Sequence, residues 1–362
     1  MFGRRQMKAH FSKFLISWFF LINIIFTVFR IQIVKSDWVW TETIYIREDG
    51  SVYPITAPIS TVDNITYTLT DNIVGNVSRE TSLIIVERDN ISLNGQGRSL
   101  QGTDPYMLVE WWSVGLDVNA ENVTIKNFTI TKFFVAINLH SSSNNTISGN
   151  RIIDNHNGIE GDSSSNNTIS ENNFIENWGG IMLGSISHTK IVGNNAINNV
   201  YGISVWGISN SDILGNNLTT NENGGIAVWL SNNNTISRNK FYDDGLIIDP
   251  IPSNIVVDNW VNRRPLVCLN NVSDYSVEDA GQVILHKCNN IKIENLNISK
   301  TITGIALYQT NNSRITGNYL KSNHADGIRI WHSSNNTIIK NHIESSDWRA
   351  RYYFYKAEYL LP

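Results

Sequence analysis

Along most of the chain, apolar and polar residues alternate in short runs, as in Thr146-Ile147-Ser148 and Gly202-Ile203-Ser204-Val205-Trp206. A period of two carried largely by β-branched residues predicts strands rather than helices. Asn, Ser and Gly separate the runs, so each strand is expected to end in a turn.

The alternation is itself repeated. NNTISGNRIIDNHNGIEGDSSS begins at Asn144, with relatives beginning at Asn166, His188 and Asn210, a constant step of 22 residues, and looser copies from Asn233, Asn289, Asn311 and Asn335. A unit of that length buries its apolar face only against its neighbours, which makes the chain a solenoid. Strand-and-turn content predicts an all-β, single-stranded parallel β-helix of coils of about 22 residues. A leucine-rich repeat has a similar period, but its asparagine lies within a leucine-dominated signature, and leucine is sparse here. Ile147, Ile169, Ile191, Ile213 and Ile236 are expected to form one internal stack. Asn150, Asn172, Asn194 and Asn216, and five residues later Asn155, Asn177, Asn199 and Asn221, are expected to form two amide ladders. With coils about 4.8 Å apart, such amides can donate and accept along the axis and satisfy turn backbone groups.

Regularity varies along the chain. Residues 37–89 read as irregular strands capping the open end of the solenoid, which would otherwise be a bare sheet edge. The β-helix is expected over 90–346, with an elaborated, lateral-loop region at 242–283 and a tail at 347–362 that is either a cap or a truncation. At the other end, Arg4, Arg5, Lys8 and Lys13 precede the apolar run Phe14–Phe29. Residues 1–36 therefore read as a signal peptide or signal anchor, cleaved or retained, that places the rest outside the cytoplasm, secreted or held at the cell surface. If retained, it is the chain's contact with a membrane. Sequons such as Asn64-Ile-Thr suit an exported protein, although a repeat that turns on Asn-Asn-Thr produces sequons without any glycan.

Composition adds mainly exclusions. With 41% hydrophobic and 17% charged residues and a net charge of −4 over 362 residues, the chain has ample material for a long core and no basic excess. Its cations form no stripe beside an aromatic ladder except at the N-terminus and in the last few residues, so nucleic acid is not an expected partner. Cys268 and Cys288 lie about one coil apart, as a disulfide or as a buried stack of small side chains.

TIYIREDGSV, YTLTDNI, IIVERDNISLNGQGRSLQG, NVTIKNFTI, the SSNNTIS-x-N coils, RPLVCLNNVSDYSVEDAGQVIL and the final SSNNTIIKNHI together resemble the NosD-like right-handed parallel β-helix family. This family is also described as carbohydrate-binding and sugar-hydrolysis domains, and the form resembled is that of archaeal surface proteins. The resemblance implies a right-handed fold, an extracytoplasmic site, and either polysaccharide contact or, for the name-giving member, periplasmic copper delivery. It implies no catalytic set.

Candidate chemistry lies on the outward positions of the GI-x-V-x strand. Its last position reads His140, Asp162, Gly184, Trp206 and Trp229, then Tyr308 and Trp331 in later coils, an outward aromatic column of the kind that grips the apolar faces of sugars. The alternative is that the 242–283 elaboration covers Trp206 and Trp229. Asn138, Asp154 and His156 gather near Glu160 and Asp162, whose carboxylates, about 7 Å apart on one strand face, have the separation of an acid and base flanking a water in glycoside hydrolysis. Two exposed acids on a strand are more often simply solvated. Lyase chemistry lacks a column of acidic calcium ligands with a neighbouring Lys or Arg base. For copper the candidates are His286, Cys288 and Cys268, with His324, His332 and His342 in the last coils, ligand types that copper favours but at different coil positions. No cofactor is expected, with copper or calcium left open. The leading expectation is an exported β-helix that binds polysaccharide or glycoprotein; the alternatives are a glycoside hydrolase or lyase and a copper-binding accessory protein.

Overall fold

The computed structural model describes residues 38–75, 81–102, 112–249 and 253–344, all strands and turns without a helix. The signal or anchor segment 1–36 and the tail 347–362 lie outside the described residues, among which no helix is long and apolar enough to cross a membrane. The chain is a parallel β-helix. Strands one coil apart pair in register to build a fourteen-stranded sheet and two ten-stranded sheets, with four- and three-stranded sheets near the C-terminal end.

The isoleucine stack forms as the repeat predicts. Ile147, Ile169, Ile191, Ile213 and Ile236 are register partners on successive strands, and each is buried. Their stack is extended by Ile125, Leu93 and Tyr67 toward the N-terminus. Parallel coil pairing already begins within 37–89: Ile44–Ile46 pairs with Ser82–Val86 and Thr66–Leu69 with Ser92–Asn94, while two antiparallel strands, Val52–Tyr53 and Ile59–Ser60, flank this end.

Both amide ladders are present. Asn199 shows the arrangement: its Oδ1 accepts the Asn177 N–H at 2.9 Å and Asn177 Nδ2 at 3.0 Å, while its own Nδ2 donates to the Phe174 carbonyl at 3.1 Å. One side chain thus satisfies buried donors one coil back and a buried acceptor 25 residues back. The Asn150 ladder continues to Asn239 and Asn259, and the Asn155 ladder ends not on an amide but on Asp244.

The elaborated region contains a reversal. Trp260–Val261 pairs antiparallel with Arg264 and Pro265 around the two-residue turn Asn262-Arg263, both residues with positive φ as a type I′ hairpin requires. Beyond it, a second stack of coils has its own core, in which Val283, Leu285, Ile305 and Leu307 are buried together. The opposite face of the strands Arg264–Asn270, Gln282–His286 and Thr303–Tyr308 lies against the first core: Ile284 and Leu266 belong to it, and Cys268 and Tyr308 pack on it. Gln282–His286 is therefore buried on both faces, which explains the unbroken apolar centre of QVILH. Gln282 also closes a sheet edge. Its amide accepts the Leu246 N–H at 3.0 Å and donates to the Leu246 carbonyl at 2.9 Å, taking the place of a further strand. Cys268 and Cys288 are both free thiols. The coil-to-coil partner of Cys268 is Ile284, so the two cysteines form neither a bridge nor a column.

Candidate functional site

The outward column read from the sequence lies on the ten-stranded sheet built from Asn157–Asp162, Gly179–Gly184, Tyr201–Trp206, Ile226–Trp229 and Leu246–Asp249. Register places Asp162, Gly184, Trp206, Trp229 and Asp249 side by side on successive strands at the strand ends. His140, one coil before Asp162, is exposed on the turn after its strand. Trp206 is 57% exposed and makes no ring contact with another aromatic side chain among the described residues. Trp229 is half-buried, and among the described residues no lateral loop covers the pair: Asp249, the next residue of the column, is itself exposed.

Gly184 makes a notch in this column. A Cβ at this glycine would have Asp162 Oδ1 at 3.4 Å and the Trp206 carbonyl oxygen at 4.0 Å as its nearest neighbours, ordinary contacts, so the space above is open and the Asp162 carboxylate leans toward it. Asp162 and Trp206 stand two strand spacings apart, roughly 10 Å. The missing side chain leaves a gap between a carboxylate acceptor and an indole.

Two residues upstream, the next outward row is Asp117, Asn138, Glu160, Met182 and Ser204. Asn138 Nδ2 donates to Asp117 Oδ1 at 2.9 Å, and Asn157 Nδ2 donates to Glu160 Oε2 at 2.8 Å. Glu160 is thus held by an amide on its own strand, and Asp162 accepts a 3.2 Å bond from the Ser163 hydroxyl.

At the strand starts lies a feature that the sequence reading missed. Trp112, Phe134, His156, Trp178 and Tyr201 stack at coil spacing, with ring centroids 4.8, 4.3, 4.9 and 5.3 Å apart and the central rings within 9° of parallel. Each central ring covers its neighbours' faces, leaving chiefly edges to solvent. Burial within this stack holds the His156 imidazole below its ordinary pKa, partly offset by Asn157 and Glu160. His156 therefore belongs to the stack rather than to the acids beside it. The signal was present in the sequence: His156 and Trp178 each directly follow a ladder asparagine.

The expected single aromatic column divides in two. Tyr308 and Trp331 lie on the fourteen-stranded sheet, where Asn270, His286, Tyr308 and Trp331 are register partners. Trp331 is 44% exposed, whereas Tyr308 packs on the first core and its phenol is pushed up by burial, against the lowering effect of Arg329. The reversal at 260–265 moved these residues off the face that carries Trp206.

The copper candidates do not converge. His286 Nδ1 is 2.9 Å from Asn270 Oδ1, Cys288 Sγ donates to the Leu269 and His286 carbonyls, His324 Nε2 is 3.1 Å from Asp243 Oδ1, His332 meets the Trp331 ring edge-on and His342 stacks on Tyr319. Burial, with Cys288 nearby, pushes the Cys268 thiol up to about 12, far from the thiolate a metal requires, and burial with Lys287 lowers the His286 imidazole. Among the described residues no three His, Cys, Asp or Glu side chains gather as a metal site. As placed among the described residues, these candidates do not form a site for a resident copper ion.

Comparison with known proteins gave one family and several structural likenesses. No curated protein matched the chain significantly. Among solved structures, DFA-IIIase from Arthrobacter chlorophenolicus A6 in complex with GF2 is 14% identical over 68% of this chain and 70% of its own, with a TM-score of 0.48. The periplasmic alginate epimerase AlgG is 12% identical over 78% of this chain and 80% of its own, with a TM-score of 0.41. The profile described as "Periplasmic copper-binding protein (NosD)" matches residues 74–264 and 253–355, nearly the whole β-helix, and the chain belongs to the NosD family.

Proposed function

We propose that this protein acts outside the cytoplasm as a glycan-binding β-helix, holding one sugar ring of a polysaccharide or glycoprotein in the notch above Gly184. The observation that carries the reading is the exposed, unstacked Trp206 beside a glycine gap with the Asp162 carboxylate on its far side. An indole offers the apolar face that a pyranose covers, and a carboxylate accepts hydrogen bonds from adjacent hydroxyls. Trp229 and His140 extend the surface by one strand at either end. The extracytoplasmic setting rests on the family's periplasmic description and on the basic-then-apolar N-terminus.

The test is retention of the full chain on a panel of insoluble glycans, with the supernatant assayed for released sugars. The unmodified protein is expected to be retained by at least one glycan, and Gly184→Phe, which fills the notch, to lose that retention. Glu160→Gln is expected to keep it, because Glu160 is tied to Asn157 rather than facing the notch. Retention undiminished in both Gly184→Phe and Trp206→Ala would refute the assignment. Sugar release that disappears in Glu160→Gln would replace a binding role with a hydrolytic one.

A further inference from the structure

A cavity of about 300 Å³ lies on a different face, the outer side of the fourteen-stranded sheet at the hairpin, lined by Lys240, Phe241, Tyr242, Trp260 and Arg263. Strand alternation turns Phe241 inward, where it is fully buried, and leaves Lys240 and Tyr242 outward. Trp260 is the register partner of Lys240 on the next strand and is 46% exposed; Tyr242 is 39% exposed. Arg263 stands at the tip of the two-residue turn that closes the wall. Two cations and two partly exposed aromatic rings thus border one concavity.

The cations are uncompensated. Neither Lys240 nor Arg263 forms an ion pair among the described residues: the acid nearest Lys240 along the chain, Asp243, is engaged by Lys300 at 3.3 Å and His324 at 3.1 Å, and the acid nearest Arg263, Asp258, is exposed and pairs with neither cation. This occurs in a chain of net charge −4, so it is a local arrangement and not part of a basic surface. One column leads away from the cavity across the coils: Asn217, Asn195 and Asn173 precede Lys240 in register, beside the half-buried Ile197 and Ile175. Amides next to aliphatic side chains suit the hydroxyls and C–H faces of a neutral sugar chain. Glu171 and Glu176 lie at the turns bounding that stretch and disfavour negative charge beside it, while Arg151 continues the column beyond Asn173.

We infer that this cavity is a second glycan subsite, which binds an acidic sugar residue, carboxylated or sulfated, with its anion between Lys240 and Arg263 and its ring against Trp260. The volume is at the small end of ligand pockets, which matches one ring rather than an extended segment. Guanidinium and ammonium groups provide charge-assisted hydrogen bonds to either anion, and the ring supplies the apolar contact. The subsite stands on different residues from the notch at Gly184 and does not depend on it.

The test is calorimetric titration of the full chain with a short oligosaccharide bearing one glucuronic acid residue, its carboxyl-reduced form, a sulfated counterpart and inorganic phosphate. The uronate is expected to bind, and both the carboxyl-reduced ligand and the Lys240→Gln and Arg263→Gln variants to lose affinity by about tenfold or more, the loss of one charge-assisted hydrogen bond. Trp260→Ala is expected to weaken binding of the sugar without affecting phosphate. The losses caused by Lys240→Gln and Arg263→Gln are expected to be the same in a Gly184→Phe background, which separates this subsite from the notch. Tighter binding of the sulfated ligand would assign sulfate as the natural anion and support the same site. Equal binding of the carboxyl-reduced form, unchanged affinity in both cation variants, or phosphate binding as tightly as the oligosaccharide would overturn the inference.

Discussion

The two edges of the ten-stranded sheet that carries Trp206 have the same coil spacing and opposite character. At the strand starts, every repeating group is occupied by its own counterpart one coil away: ladder amides bond to ladder amides, and Phe134, His156 and Trp178 cover one another's rings. At the strand ends, the column from His140 to Asp249 changes residue type at every step except that from Trp206 to Trp229, and Trp206 faces solvent with no ring partner among the described residues. Identical repeats satisfy each other and stiffen the solenoid, while a column whose residue changes from coil to coil leaves groups free for a ligand. An aromatic residue in a β-helix is thus a binding candidate only when its neighbours along the axis do not take its face.

The comparison is broken most severely at the ladder. Asn199→Ala would leave the Asn177 N–H without an acceptor, Asn177 Nδ2 with only the Ile152 carbonyl, and the Phe174 carbonyl without a side-chain donor, all buried. At about 1 to 3 kcal/mol for each orphaned group, the expected loss is about 4 kcal/mol or more, read by denaturant unfolding. A loss under about 1 kcal/mol would mean that the ladder contributes little and that the two edges differ less than their geometry indicates.

A smaller effect is expected where the ladder ends. Asp244 accepts the Asn221 N–H and Nδ2 and the Gly245 N–H, yet complete burial outweighs these bonds and pushes its carboxyl from 3.8 up to about 7. Between those values the unfolded chain ionises before the folded one, so folding is opposed increasingly as pH rises from about 3.8, with the full penalty, roughly 4 kcal/mol, reached above about 7. Asp244→Asn, which continues the ladder with an amide, is expected to raise stability at pH 8 by up to this amount, less the cost of the Gly245 N–H losing its acceptor, and to give no such gain at pH 3. Equal changes at the two pH values would contradict the burial argument.

How much of this was legible in the sequence followed from whether the repeat kept its residue identity. The isoleucine stack and both asparagine ladders could be read because one residue type recurs at one phase. The ring stack could not, because its members are Trp112, Phe134, His156, Trp178 and Tyr201, four residue types, with the final step lengthened by one residue. Tyr308 and Trp331 were assigned to the wrong column because counting coil phase through 242–283 takes no account of a reversal. The Gln282 amide that closes the sheet edge depends on a contact 36 residues apart, which local alternation does not encode. The Gly184 notch is visible in sequence only as a missing side chain, and its meaning appears once Asp162 and Trp206 are seen on either side.

Within the ring stack, Trp178→Ala removes one parallel contact with His156 at 4.9 Å and one edge contact with Tyr201 at 5.3 Å. Such aromatic pairs are worth about 0.5 to 1.5 kcal/mol each, so a loss of about 2 kcal/mol is expected, with glycan retention unchanged. Lost retention at preserved stability would move the binding surface to the strand starts and reverse the roles of the two edges.

The smallest change in stability is expected on the opposite edge. Trp206 exposes more than half of its surface, its inward neighbour Val205 is buried independently of it, and Gly184 leaves no side chain packed against the indole from the preceding coil. Truncation creates no internal cavity, which keeps the effect of Trp206→Ala on unfolding free energy near the range of surface substitutions, about 0.5 to 1 kcal/mol. Its effect on ligand retention should nevertheless be large, since the apolar face it presents to a sugar is not duplicated by the half-buried Trp229. Measuring both quantities on the same preparation decides the matter. A stability loss of 2 kcal/mol or more, the scale for truncating a packed aromatic residue, would show that Trp206 works as Trp178 does, and the distinction between the occupied and the open edge would fail at its most exposed residue.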